Sequence, residues 1–152
     1  MRETRERNIY AQARDAAGLT QQRWAECLGV SVQAVRGYEA GDIMPAEDIV
    51  LSMADLSGLQ ILGTWHLRRK SAVAAEILPE IERLPLAQAV VQLLAQIQIF
   101  QSRHHADALL TIAADGVVDS KEQGRFEEIL RDLRPLRAAA MQIEYADRGR
   151  SE

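Results

Sequence analysis

Three side chains between residues 32 and 36 have the chemistry needed to recognise the edges of DNA bases. The amide of Gln33 can both donate and accept, which matches N6 and N7 of adenine, and the guanidinium of Arg36 matches O6 and N7 of guanine. Val32 can contact the methyl group of thymine. A solvated helix face contains the same residue types, so the interpretation depends on the element that carries them.

Three polar residues stand where short helices are expected to begin, namely Thr20, Gln21 and Ser31. The hydroxyl groups of Thr20 and Ser31 can cap two helices by accepting from backbone N–H groups. Gln21 opens the first of these helices, where its amide and its N–H can bind a phosphate at the positive end of the helix dipole. We expect all three residues to contact DNA phosphates; for Gln21 the alternative is an ordinary residue of the first turn.

The stretch from Leu19 to Gly41 is typical of two helices joined by a tight turn. Gly29 lies where the chain must leave the first helix in the left-handed conformation, and the small Ala25 allows the two helices to cross closely. The residues expected to face inward are Leu19, Ala25, Leu28, Val30 and Val35. This pattern predicts a helix-turn-helix, whose second helix enters a DNA major groove.

These positions resemble the Cro- and repressor-type helix-turn-helix regulators of the xenobiotic-response-element family. The shared pattern consists of Leu19-Thr20-Gln21, Ala25, Leu28-Gly29-Val30-Ser31, Tyr38-Glu39-Ala40-Gly41 and Pro45. The resemblance covers about residues 7 to 69. It implies a five-helix, lambda-repressor-like module in a sequence-specific transcriptional regulator, which we expect to be a repressor acting as a dimer on a double-stranded operator.

The resemblance also implies an ion pair between Arg14 and Glu39 that fixes the recognition helix on its scaffold; the alternative is two separate solvated charges. The chain departs from the family pattern at two positions. Gly37 replaces a long polar residue, so we expect it either to let the backbone approach DNA or to lose a base contact. Trp24 replaces a smaller aliphatic residue.

Composition limits the class of protein. The 152 residues are 47% hydrophobic, but no apolar run reaches the ~20 residues that a membrane span needs. The charged N-terminus is not followed by an apolar stretch, so it is not expected to be a secretory signal. Cys27 is the only cysteine and is expected to be buried, which excludes disulfide scaffolds and thiolate metal sites. We therefore expect a cytoplasmic protein without membrane association.

Charge is distributed unevenly along the chain. The net charge is −4; residues 1–72 hold nine basic and nine acidic residues, whereas residues 73–152 hold nine and thirteen. We expect the acidic second half to face away from DNA, because it repels phosphate. A monomer should then bind DNA weakly, and dimerisation should be needed for useful affinity.

The periodicity of apolar residues predicts an all-α fold. Helices are expected over 8–17, 46–57 and 59–69 besides the two of the motif, which places a DNA-binding domain at 1–71. The second region, 72–152, begins with a proline-bracketed connector and continues with helices over 86–114 and about 120–147. Both carry heptad seams, so we expect an α-helical hairpin that forms a homodimer or binds another protein. The seam residues are Leu86, Val90, Leu93, Ile97 and Phe100 on the first helix, and Phe126, Ile129, Leu133, Leu136, Ala140 and Ile143 on the second.

Other candidate sites have simpler explanations. The segment from Asp115 to Glu122 has part of the spacing of a calcium loop, but a capping box of Asp119 and Glu122 explains it better. His104 and His105 point apart on a helix and are expected to be solvated or at an interface rather than to bind zinc. Trp24 and Trp65 are expected to fill the core.

No group of residues suggests catalysis, so we expect neither an enzyme nor a cofactor or metal. The alternative function is a protein-interaction module, such as an antitoxin or adaptor, that uses the helix-turn-helix scaffold to bind protein. Near-neutral charge in the first half and Gly37 favour this alternative.

Overall fold

The computed structural model of the chain describes residues 8–149, which divide into two compact units after Leu78. Over this range the chain is all-α, and its only β-like feature is an isolated bridge between Pro85 and Asp147. The helices of the first unit are α1 Ile9–Ala17, α2 Gln21–Leu28, α3 Val32–Ala40, α4 Glu47–Ser57, α5 Leu62–Lys70 and α6 Ala72–Ile77. Those of the second unit are α7 Leu86–Ser102, α8 His105–Ile112 and α9 Gln123–Glu144.

Local sequence signals set the ends of the first three helices. Thr20 Oγ1 accepts from the N–H of Arg23, and Ser31 Oγ accepts from the N–H of Ala34, as the cap assignments predict. Gly29 ends α2 with a φ of 68°, in the left-handed region that glycine adopts without steric cost. The predicted helix–turn–helix boundaries are therefore confirmed.

The core of the first unit surrounds Trp24, which is completely buried together with Leu62, Met53 and Ile61. Trp65 is only half-buried, contrary to expectation, because Leu62 and His66 occupy the buried side of α5. Two other expectations about apolar positions need correction. Leu19 and Val30, which were expected to face inward, are half-buried. Cys27, which was expected to be buried, is exposed, because Trp24, Ala25 and Leu28 define the buried side of α2.

The first compact unit extends beyond residue 71 and includes α6. The guanidinium of Arg68 donates to the backbone carbonyl groups of Ala75, at 2.8 Å from Nη1, and of Leu78. These bonds fold α6 back on α5. Because they join α5 to the backbone ten residues further on, the compact unit continues to Leu78, beyond the domain end predicted at residue 71.

The second unit is built on the antiparallel pair α7 and α9. The N–H of Leu86 donates to the carbonyl of Asp147, and the N–H of Asp147 donates to the carbonyl of Leu84, which ties the start of α7 to the end of α9. Ala89 is fully buried between the two helices, and Gln142 donates to Gln92 across them at 2.8 Å. The connector contributes to this core, because Leu84 packs with Ala89.

The predicted helix from 86 to 114 is wrong, because the chain breaks between α7 and α8. His104 has a φ of 53°, a left-handed conformation that is uncommon outside glycine. The break brings the fully buried imidazole of His105 within 2.6 Å of Asp132 Oδ2, and Arg103 Nη1 lies 2.7 Å from the same oxygen. These bonds lower the pKa of Asp132, the one from His105 most strongly. His104 is exposed, as expected, but His105 is buried within the unit, so the expected solvated or interface position is wrong for His105.

The loop before α9 forms the capping box that its sequence predicts. Asp119 Oδ1 accepts from the N–H of Glu122 at 2.9 Å, and Glu122 Oε2 accepts from the N–H of Asp119 at 3.2 Å. The carboxylates of the segment thus satisfy backbone donors. Between residues 8 and 149, no three His, Cys, Asp or Glu side chains come together as a metal-binding group, and no helix is long and apolar enough to cross a membrane.

Candidate nucleic-acid interface

Helix α3 has one side in the core and one side open to solvent. Val35 and Tyr38, three residues apart, are buried and fix the rotation of the helix. Gln33 and Arg36 are consequently exposed, and Val32, at the first position of the helix, is half-buried. The side chains whose chemistry suits base recognition therefore share the open side of one short helix.

The helix starts of α2 and α3 supply the groups expected to contact phosphate. Thr20 and Ser31 are exposed, and each hydroxyl that caps its helix can still donate its own proton to a phosphate oxygen. The first N–H groups of α2 and α3, including that of Gln21, have no acceptor within their helices. Such N–H groups, at the positive end of a helix dipole, form an anion-binding position.

Arg14 and Glu39 lie together at the back of α3. Arg14 Nε is 2.5 Å from Glu39 Oε1, and Nη2 is 3.1 Å from Oε2, a bidentate geometry. Arg14 Nη1 also donates to the carbonyl of Leu19 at 2.9 Å. The hydrogen bond with Glu39 raises the pKa of Arg14. Because both side chains are largely buried, this pair joins α1, the start of α2 and the end of α3.

The amide of Gln21 belongs to the same network, which differs from the phosphate role expected for it. Gln21 Nε2 donates to Glu39 Oε2 at 2.8 Å. The scaffold pair thus orients the Gln21 side chain. Any phosphate contact from this residue would use its backbone N–H or the remaining groups of the amide.

Gly37 lies on the open side of α3, and the side chain of another residue occupies the space where a side chain at position 37 would lie. A Cβ atom built on Gly37 would lie 2.6 Å from Cδ1 and 2.9 Å from Cγ1 of Ile43. The carbonyl of Gly37 accepts from the N–H groups of Asp42 and Ile43. The surface at residue 37 is thus covered by Ile43, and the expectation that Gly37 leaves its backbone open for DNA is not supported.

The turn after α3 is anchored by a buried polar group that the sequence did not indicate. The hydroxyl of Tyr10 lies 2.9 Å from Nδ1 of His66 and 3.4 Å from the sulfur of Met44. Burial raises the pKa of Tyr10 and, with the nearby Lys70 charge, lowers the pKa of His66. Nε2 of His66 is buried and has no hydrogen-bond partner within the described part of the chain. His66 is therefore best accommodated in its neutral form.

Acidification should destabilise the first unit through His66. Because the pKa of folded His66 is lower than the usual value near 6.5, the unfolded chain binds more protons, and stability falls as the pH drops below about 6.5. Both tryptophans lie in this unit, so urea unfolding followed by tryptophan fluorescence at pH 7.5 and 5.5 measures it. His66→Gln should flatten the pH dependence; an unchanged dependence would assign it to other groups.

Comparison with known proteins agrees with this geometry. Residues 11–61, about a third of the chain, match the model of a helix-turn-helix domain. No curated protein and no solved structure was found to match the chain. The first unit is a helix-turn-helix domain, as its sequence indicates, and α2 and α3 are the two helices of the motif. The match thus assigns residues 11–61 to a type of domain that suggests DNA binding.

The sequence did not indicate that two residues in the turn after α3 belong to the candidate interface. Ile43 and Met44 are apolar, yet each is 48% exposed in the turn that follows α3. The one sequence feature that could have indicated them is two consecutive apolar residues in the short segment between Gly41 and Pro45, where no helix is expected to bury them. No local rule connects such a pair with a glycine six residues earlier.

Proposed function

We propose that the protein is a sequence-specific DNA-binding transcriptional regulator, a repressor, that inserts α3 into the major groove and acts as a dimer. The observation that carries the proposal is the open side of α3. Within the matched helix-turn-helix domain, it presents Gln33 and Arg36 to solvent, while the helix is held from behind by the Arg14–Glu39 pair. A rigidly held helix with exposed amide and guanidinium groups suits direct readout.

The contacts sort into two classes. Val32, Gln33 and Arg36 are assigned to bases, and Thr20, Ser31 and the backbone of Gln21 to phosphates. The phosphate contacts set the register of α3 on the duplex, whereas the base contacts carry sequence information. A repressor would compete with transcription by occupying its operator; the assignment to repression follows from the family resemblance.

Dimerisation is proposed through the second unit. Helix α7 has no charged residue in its 17 positions. The side of α7 away from Ala89 carries an exposed apolar stripe, which we define as Leu86, Val90, Val91 and Leu94. A charged partner surface would form no ion pair with this stripe and would lose its own hydration. A second copy of the stripe matches it, because a two-fold axis places the same patch on both chains.

The stripe shares two residues, Leu86 and Val90, with the seam that the heptad pattern predicted on α7. Of the seam residues on α7, Leu93, Ile97 and Phe100 are half-buried within the unit, while Leu86 and Val90 are exposed. On α9, Ile129 is buried, whereas a shallow groove is lined by Leu130, Leu133, Arg134, Leu136, Arg137 and Ala140. The uncharged stripe on α7 is the better dimer contact, since two arginines border the groove on α9.

Replacement of Gln33 by Ala should weaken cognate binding by about 1–3 kcal/mol and leave non-specific binding nearly unchanged. The cognate site would be selected from random DNA with the full-length protein, and affinities measured by mobility shift. Gln60→Ala is a matched control, because Gln60 is exposed and lies outside α3. An equal loss on all DNA sequences would make Gln33 a phosphate contact instead.

The second candidate is a protein-binding module built on the same scaffold. Charge favours it, because residues 8–78 hold six basic and eight acidic residues, a poor match to phosphate. Mobility shift at two salt concentrations separates the two functions. Phosphate contacts release counterions and give a steep fall of affinity with salt. Absence of any DNA complex at low salt would favour the protein-binding function.

A further inference from the structure

We infer that Ile43 is a specificity-determining residue that contacts the methyl group of a thymine next to the base pair contacted by Gln33. This inference rests on the proposed function, since it assigns a further base contact to the same surface. It concerns a residue outside the recognition helix.

Ile43 occupies the place of a recognition-helix side chain. Gly37 follows Gln33 by four residues, so both lie on the same side of α3, one turn apart. The ideal Cβ position at residue 37 lies only 2.6 Å from Ile43 Cδ1. The branched side chain of Ile43 therefore fills the position that a side chain at 37 would fill, and the open side of α3 continues from Gln33 to Ile43.

The turn holds Ile43 in this place. The N–H groups of Asp42 and Ile43 donate to the carbonyl of Gly37 at 3.0 and 3.2 Å. Two residues further on, Pro45 is almost completely buried, and the sulfur of Met44 accepts from Tyr10. Ile43 is thus fixed on both sides by contacts with the scaffold, as precise contact with a base requires.

The chemistry of Ile43 selects one group in the major groove. Its side chain has no donor or acceptor, yet 48% of the residue is exposed. Among the groups that base pairs present in the major groove, the methyl of thymine is the apolar one. Contact between the two removes apolar surface of both from water. A cytosine at the same place lacks the C5 methyl group and presents a polar N4 amino group beside it, so the contact discriminates between the two pyrimidines.

The test uses full-length protein and DNA sites selected from a random library by the wild type, Ile43→Ala and Ile43→Val. We expect the wild type to prefer thymine at a position next to that read by Gln33, and Ile43→Ala to lose this preference. Replacing that thymine by deoxyuridine, which lacks only the methyl group, should weaken wild-type binding about three- to fivefold. Ile43→Ala should be insensitive to the replacement, and Ile43→Val should fall between the two.

Leu51→Ala is the matched control, because Leu51 is a more exposed aliphatic residue on α4. It should select the same sites as the wild type. If the wild type selects a site but deoxyuridine has no effect at any thymine, or Ile43→Ala keeps the same preference, the inference is overturned while the proposed function stands. If the wild type selects no sequence at all, both fall. Tryptophan fluorescence of each variant checks that the first unit is folded.

Discussion

Replacement of Glu39 by Gln should lower the free energy of unfolding of the first unit by about 2–3 kcal/mol. The change keeps the shape of the side chain but removes its charge. Arg14 would then remain largely buried with no counter-charge in the bidentate position, and Gln21 would face an amide instead of a carboxylate. Urea unfolding followed by tryptophan fluorescence measures the effect, because Trp24 and Trp65 both lie in this unit.

Glu47→Gln provides the matched control for this experiment. Glu47 also pairs with a cation, since its Oε1 lies 2.6 Å from Lys70 Nζ, but both side chains are well exposed. Exposed pairs contribute little, so this variant should unfold at nearly the wild-type urea concentration. Equal unfolding midpoints for the Glu39 and Glu47 variants would show that the buried network does not hold α3 in place.

The helix-turn-helix could be predicted from the sequence because its determinants are local. A cap depends on a hydroxyl and on an N–H three residues later, as for Thr20 and Ser31, and the turn depends on the freedom of Gly29. The Arg14–Glu39 pair spans 25 residues, and it was expected from the family resemblance rather than from any local rule.

The parts that could not be predicted depend on contacts distant in sequence. The break at His104 follows the polar residues Gln101, Ser102 and Arg103 and contains neither glycine nor proline. It is accompanied by the contact of the His105 imidazole with Asp132, 27 residues further along the chain, which no local rule indicates. Similarly, the prediction for Gly37 was based only on the long polar side chain that the family pattern has at this position and that glycine lacks. Only the packing of Ile43 against it explains why a residue with low helix propensity is suited to this position.

The dimer contact that we propose on α7 differs in part from the predicted seam for a related reason. A heptad pattern identifies apolar positions on a helix, but it does not say which of them the partner helix within the unit covers. In α7 the tightly packed position is Ala89, a small residue outside the seam, which allows close approach of α9. Larger apolar residues on the opposite side, such as Val91 and Leu94, were left exposed.

The double change Val91→Asp with Leu94→Asp should convert the proposed dimer into monomers. Both residues lie in the stripe on α7 and are 67% and 58% exposed within one chain, so burial in a dimer would be their main contribution. Burial of a Val or Leu stabilises by about 1.5–3 kcal/mol, and each dimer contains two copies of each residue. The variant should therefore raise the dissociation constant of the dimer by more than about a hundredfold, before the cost of burying charge is added.

Sedimentation at micromolar concentration measures this change, and the helical signal in circular dichroism should stay the same, because the substituted side chains make few contacts within their own unit. Leu110→Asp is the matched control: Leu110 is 74% exposed but lies on α8, outside the stripe, so this variant should remain a dimer. On a selected two-half-site operator the stripe variant should bind much more weakly than the wild type, whereas the two should bind a single half-site equally. A wild-type protein that sediments as a monomer would remove the stripe as a dimer contact and leave it as a surface for a different protein.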